Sequence, residues 1–117
     1  MPEQAIIDMA IYNQLKELMG RDFIAELIDT YIQETAALIE QLGKALIEGD
    51  APVFGRTAHS IKSSSASLGA VELSQLAREL EMMGKANELS GGDEKMEKLA
   101  ADFLVVKECL EGLKNEP

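Results

Sequence analysis

Apolar residues return every three or four positions along nearly all of this 117-residue chain, in runs punctuated by Gly or Pro. That 3.6-residue rhythm constrains the fold more than any other feature, because it is the spacing that puts side chains on one face of a helix and not on one face of a strand. Composition points the same way: there is no Trp and there are only two Tyr and three Phe, so the aromatics that strands favour are scarce.

The rhythm divides into five predicted helices. Asp8 is placed to cap a first one in which Met9, Tyr12, Leu15 and Leu18 or Met19 share a face, with Gly20 as its stop. Asp22 reads as the cap of a long second helix ending near Glu48. Phe23, Leu27, Tyr31, Leu38, Leu42 and Ala45 form one stripe on it, with Ile24, Ile28, Thr35, Ile39 and Leu46 beside them. In Gly49-Asp50-Ala51-Pro52, Asp50 is the candidate cap of a third helix beginning near Pro52, whose missing N–H costs nothing in a first turn. The helical period of Phe54, Ala58, Ile61, Ser65 and Leu68 runs straight through the serine cluster 63–67 to a stop at Gly69. A fourth helix from Ala70 to Ala86 carries Leu73, Leu76, Ala77, Leu80 and Met83 on one face. After a flexible-looking loop over 87–92, Asp93 caps a last helix edged by Met96, Leu99, Phe103, Val106, Leu110 and Leu113. The expectation is one all-α domain over residues 1–117, an antiparallel four-helix bundle with a short additional N-terminal helix lying across one end.

Inventory excludes several kinds of chemistry. A lone cysteine, Cys109, forms no internal disulfide, and its apolar surroundings predict a packed thiol more than a reactive one. One His and one Cys do not make a zinc site, and Gly91-Gly92 lacks the GK[ST] that would cradle a nucleotide phosphate. No apolar run is long enough to span a membrane, and MPEQAIIDMA has no secretory signal pattern, so a cytoplasmic location is expected. A formal net charge of -10 opposes nucleic acid and anionic membranes as partners.

The single histidine falls on the third helix. At about 100° per residue, Leu68, Ile61, Phe54, Ser65 and Ala58 lie between about 180° and 260° from His59, so the imidazole points away from the core stripe. Its neighbours one turn away are Gly55, Arg56, Lys62 and Ser63, with Pro52 and Ala66 two turns away, and all of them are small or cationic. Small neighbours leave a ring nitrogen open to a docking protein, while Lys62 and Arg56 are placed to stabilise an anion formed there, for which a phosphoryl group is the obvious choice. An ordinary imidazole titrates near 6.5, keeps a neutral fraction at physiological pH, and is both nucleophile and leaving group.

From His59 to Ala70 the chain reads HSIKSSSASLGA, which resembles the phosphorylation motif of histidine-containing phosphotransfer (HPt) domains. The matching elements are His59, the aliphatic Ile61, Lys62, the small residues Ser63-Ser64-Ser65, and the Leu68-Gly69-Ala70 ending. Length and helical pattern extend the resemblance to nearly the whole chain. It implies that His59 is the phosphoacceptor, through Nε2, and that Lys62 supports the phosphate. Ser63 stands where the family usually has Gly, on the docking side, while Ser64 and Ser65 take positions that let the helix pack closely. Family members often set a polar side chain of the following helix against the other ring nitrogen. Glu81 comes to that position here, with Gln75 as the alternative; a carboxylate there would accept from Nδ1–H and leave Nε2 nucleophilic.

The same resemblance implies phosphoryl transfer with response-regulator receiver domains or a hybrid sensor histidine kinase. No cofactor is expected on this chain, and Mg²⁺ is expected on the receiver. Charge distribution is consistent with an acidic partner pocket. Residues 52–85 carry four bases (Arg56, Lys62, Arg78, Lys85) against three acids (Glu72, Glu79, Glu81), a net of +1, so the rest of a -10 chain nets -11. The expected product is a free-standing monomeric phosphocarrier without its own ATP site. A phosphate-independent helical adaptor, or the P1 domain of a chemotaxis-type kinase, are the readings that compete with it.

Overall fold

The computed structural model describes residues 6–116, so part of the stretch read for a targeting signal lies outside the described residues. Five helices follow in order: α1 (Met9–Met19), α2 (Arg21–Glu48), α3 (Ala51–Ser67), α4 (Val71–Lys85) and α5 (Gly92–Lys114). The last four close into an antiparallel bundle in which α3 and α4 make the most intimate pair.

The helix boundaries follow from a few local signals. Asp8 accepts from the N–H groups of Ala10 and Ile11, and Asp50 accepts from Val53 N–H with Pro52 in the first turn, as capping chemistry requires. Two expected caps are corrected. Asp22 does not cap α2: Gly20, at φ +89, donates to Lys16 O to close α1 and accepts from Ile24 N–H to open α2, so one residue serves both ends. Asp93 is likewise inside the first turn of α5, whose N-cap is Gly91 at φ +82. Both carboxylates still complement the positive end of the helix dipole.

The core seam of α2 merges the two stripes read from the sequence. Ile24, Ile28, Tyr31, Thr35, Leu42 and Ala45 are buried and Leu38 is partly so, a spacing that alternates four and three residues like a coiled-coil seam. Phe23 is 59% exposed, contrary to its expected place in the core, because it stands one residue off that seam in the first turn. Leu18 is also exposed, and Tyr12 is the buried anchor of α1.

α1 crosses one end of the bundle. The N–H of Asp8 donates to Gly69 O at the end of α3, and at the far end of α1 the guanidinium of Arg21 donates to Glu116 O beyond α5. Gly69 permits the first contact: it sits at φ +91, and a Cβ there would lie 2.8 Å from the carbonyl oxygen of Asp8. Among the described residues no helix is long and apolar enough to cross a membrane. Cys109 is half-buried, and burial together with the nearby Glu116 pushes its thiol pKa up, which disfavours the reactive thiolate.

Candidate functional site

His59 lies in the middle of α3 with 56% of its side chain exposed, on the flank opposite Phe54, Ala58 and Ile61, which are fully buried. Its Nδ1 is 2.8 Å from Oε2 of Glu81, a residue on α4 that is only 4% exposed. A buried carboxylate needs partners, and this one has three. Lys62 Nζ is 2.8 Å from Oε1, and Lys85, one turn along α4, brings Nζ within 3.3 Å of Oε2. Lys62 foremost, with His59 and Lys85, holds the Glu81 carboxyl down at about 2 against the opposing effect of burial. Glu81 is therefore ionised at neutral pH and only accepts hydrogen bonds. The neutral imidazole facing it must carry its proton on Nδ1, which leaves the lone pair on Nε2.

The other residues singled out by sequence are arranged around this pair. Gln75 is exposed, six residues before Glu81, and it is Glu81 that stands against the ring. Arg56 is exposed beside His59, and Ser63 and Ala66 are exposed further along α3. Lys62 is 30% exposed, with its ammonium drawn in to Glu81 instead of standing free over the imidazole. Gly55, expected to be an open access point, is buried: its backbone packs against that of Gly84 on α4. Ser65 is fully buried and bonds the Tyr31 hydroxyl at 2.7 Å, tying α3 to α2, and Ser74 donates to Lys62 O at 2.9 Å, tying α4 to α3.

A groove of about 610 Å³ runs from His59 toward the start of α3. Its walls include Pro52, Arg56, Ser60 and Lys85, and the Gly55–Gly84 contact lies along it. Sequence reasoning counted Lys85 as a base without placing it at the site; its i,i+4 relation to Glu81 was the available signal. Gly84 carried no local signal at all. No cluster of three or more metal-ligating side chains occurs among the described residues.

A helical bundle that displays one imidazole, held from behind by a buried carboxylate and flanked by cations, defines a class of protein able to carry a group on a ring nitrogen. Comparison makes the class specific. The Hpt domain family model matches residues 26–116, and the chain belongs to that family, the histidine phosphotransfer modules of phosphorelays. The crystal structure of histidine-containing phosphotransfer protein B (HptB) from Pseudomonas aeruginosa PAO1 superposes with a TM-score of 0.90 at 28% identity, covering 96% of each chain. The sensor protein TorS of Escherichia coli (strain K12) is 33% identical over 75 residues, 64% of this chain but 8% of that protein's length. The family works with receiver domains and sensor kinases, and its members are phosphotransfer carriers.

Proposed function

We propose that His59 is the phosphoacceptor of this chain and that it relays a phosphoryl group between receiver aspartates, or from a sensor kinase to a receiver. The observation that carries this reading is the exposed imidazole whose Nδ1 faces the buried, ionised Glu81 at 2.8 Å. Nε2 attacks the phosphorus of an aspartyl phosphate in line; the N–P bond forms as the P–O bond to the aspartate breaks, and the carboxylate leaves with the bonding pair. The Nδ1 proton stays in place, donated to Glu81, whose carboxylate charge offsets the positive charge that develops on the ring. Return transfer reverses these bonds when a second aspartate attacks. There is little covalent work for the protein, so positioning and charge carry the rate. Mg²⁺ would be held by the receiver, where it would neutralise phosphoryl charge, and Arg56 and Lys85 beside the groove complement an acidic partner pocket. In this reading the chain has no ATP site of its own and acts as a monomer.

Incubation with a phosphorylated receiver tests the proposal. Wild-type protein takes up an acid-labile label and His59→Gln takes up none. Label retained by His59→Gln would move the acceptor elsewhere, and absence of label on wild type would favour a phosphate-independent adaptor.

A further inference from the structure

We infer that Gly84 is a positioning residue for His59: its lack of a side chain lets α4 approach α3 closely enough for Glu81 to reach the imidazole and set which nitrogen is nucleophilic. The inference rests on His59 being the phosphoacceptor. It starts from an asymmetry between two glycines. A Cβ on Gly84 would stand 2.6 Å from both Cα and N of Gly55 and 2.9 Å from Ala51 O, all of them backbone atoms of α3. Helix backbone does not yield as a flexible side chain does, so any side chain at 84 forces the two helices apart by about 1 Å to restore ordinary contact. A Cβ on Gly55 would meet nothing nearer than Glu81 O and the Gly84 Cα and C, each at 3.6 Å, which is ordinary contact already. Gly84 is therefore the member of the pair that has to be glycine.

Conformational freedom does not explain it. The glycines at positive φ are Gly20, Gly49, Gly69 and Gly91, whereas Gly84 is within α4, where glycine is a poor helix former. The contact also sits next to the chemistry. Gly84 lies three residues beyond Glu81 on α4 and Gly55 four residues before His59 on α3, so the backbone contact and the His59–Glu81 bond are neighbouring links between the same helices. That bond has little slack, because one carboxylate oxygen holds Nδ1 at 2.8 Å while the other is held by Lys62 at 2.8 Å. Opening the helices by about 1 Å takes Nδ1 out of hydrogen-bond range of Glu81 and releases the ring to the other tautomer.

Nitrogen-15 spectra of the neutral imidazole read the tautomer without any phosphoryl donor. Wild type is expected to show Nδ1–H with an unprotonated Nε2. Gly84→Ala should lose that preference and slow phosphoryl uptake by roughly tenfold to a hundredfold, the scale of a displacement of about an ångström. Gly112→Ala, whose added Cβ meets nothing within 4 Å, should change neither reading. If Gly84→Ala does not fold, Glu81→Asp puts the same question with the glycine contact intact: a reach one methylene shorter must cost the same preference. In a Glu81→Ala background Gly84→Ala should add no further slowing. A wild-type tautomer in folded Gly84→Ala or in Glu81→Asp, or rate losses that simply add, would overturn the inference. A chain whose tautomer responds as expected but takes no label would instead refute the phosphoacceptor reading alone.

Discussion

The α3–α4 interface and the α2–α5 side of the bundle solve the same packing problem with opposite materials. Along α2 and α5 the contacts are large and apolar: Ile28, Leu42, Leu99 and Leu110 are fully buried, and the Tyr31 and Phe103 rings meet at 6.5 Å between centroids with a 60° tilt. Ion pairs there, such as Lys114 with Asp29, stay at the surface. Between α3 and α4 two glycine backbones touch, and a carboxylate is buried beside an imidazole and two lysines. Large side chains supply most of the stability and tolerate small shifts, because each replaces one contact with another. The glycine contact and the buried carboxylate buy geometry instead, and neither has a substitute within an ångström.

The sharpest way to separate the two sides is to damage the stable one. Phe103→Ala should cost about 3–5 kcal/mol in denaturant unfolding through the cavity it leaves, while phosphoryl uptake measured on the folded population stays near wild type. A large loss of uptake with the bundle still folded would mean that the α2–α5 side sets the site after all.

Acid tests the site side. With its pKa lowered from 4.5 to about 2 in the fold, Glu81 binds fewer protons folded than unfolded across that interval. Its contribution to stability is fully present above about pH 4.5 and is lost as pH falls through about 2, with a slope approaching about 1.4 kcal/mol per pH unit. Comparing unfolding of wild type and Glu81→Gln between those limits should show the slope reduced by that amount in the variant. Equal slopes would mean that Glu81 is not held ionised by Lys62, His59 and Lys85.

The smallest effect is expected at a surface pair. Lys95 bonds Glu79 at 2.8 Å between α5 and α4, with both side chains about half exposed. Lys95→Ala should change stability by less than about 1 kcal/mol, with the difference shrinking in added salt. A larger, salt-independent loss would show that α4 is held from its α5 side as firmly as from α3.

Much of this was legible in the order of residues. The five helices, the caps at Asp8 and Asp50, and the outward direction of His59 are local matters of period and capping. HSIKSSSASLGA also carries a family resemblance without reference to any contact. Where the reading went astray, a local signal competed with a neighbour: Asp22 and Asp93 look like caps, but the glycines before them already occupied those positions. Phe23 has the right residue type one position off the seam. Lys62 and Gly55 were seen from their own helix only, and α4 changes what both of them face.

Sequence alone, then, determined that the chain is a helical bundle with its one imidazole turned outward, because a helix's period and ends are written in residues close to one another. Tertiary structure decided that Glu81, and not Gln75, stands against the ring and fixes which nitrogen holds the proton. The decision depends on how near α4 comes to α3, which is set by Gly84 against the backbone of Gly55 and by Glu81 reaching across to His59 and Lys62. A spacing between two helices is a property of the pair, and no pattern within either one states it.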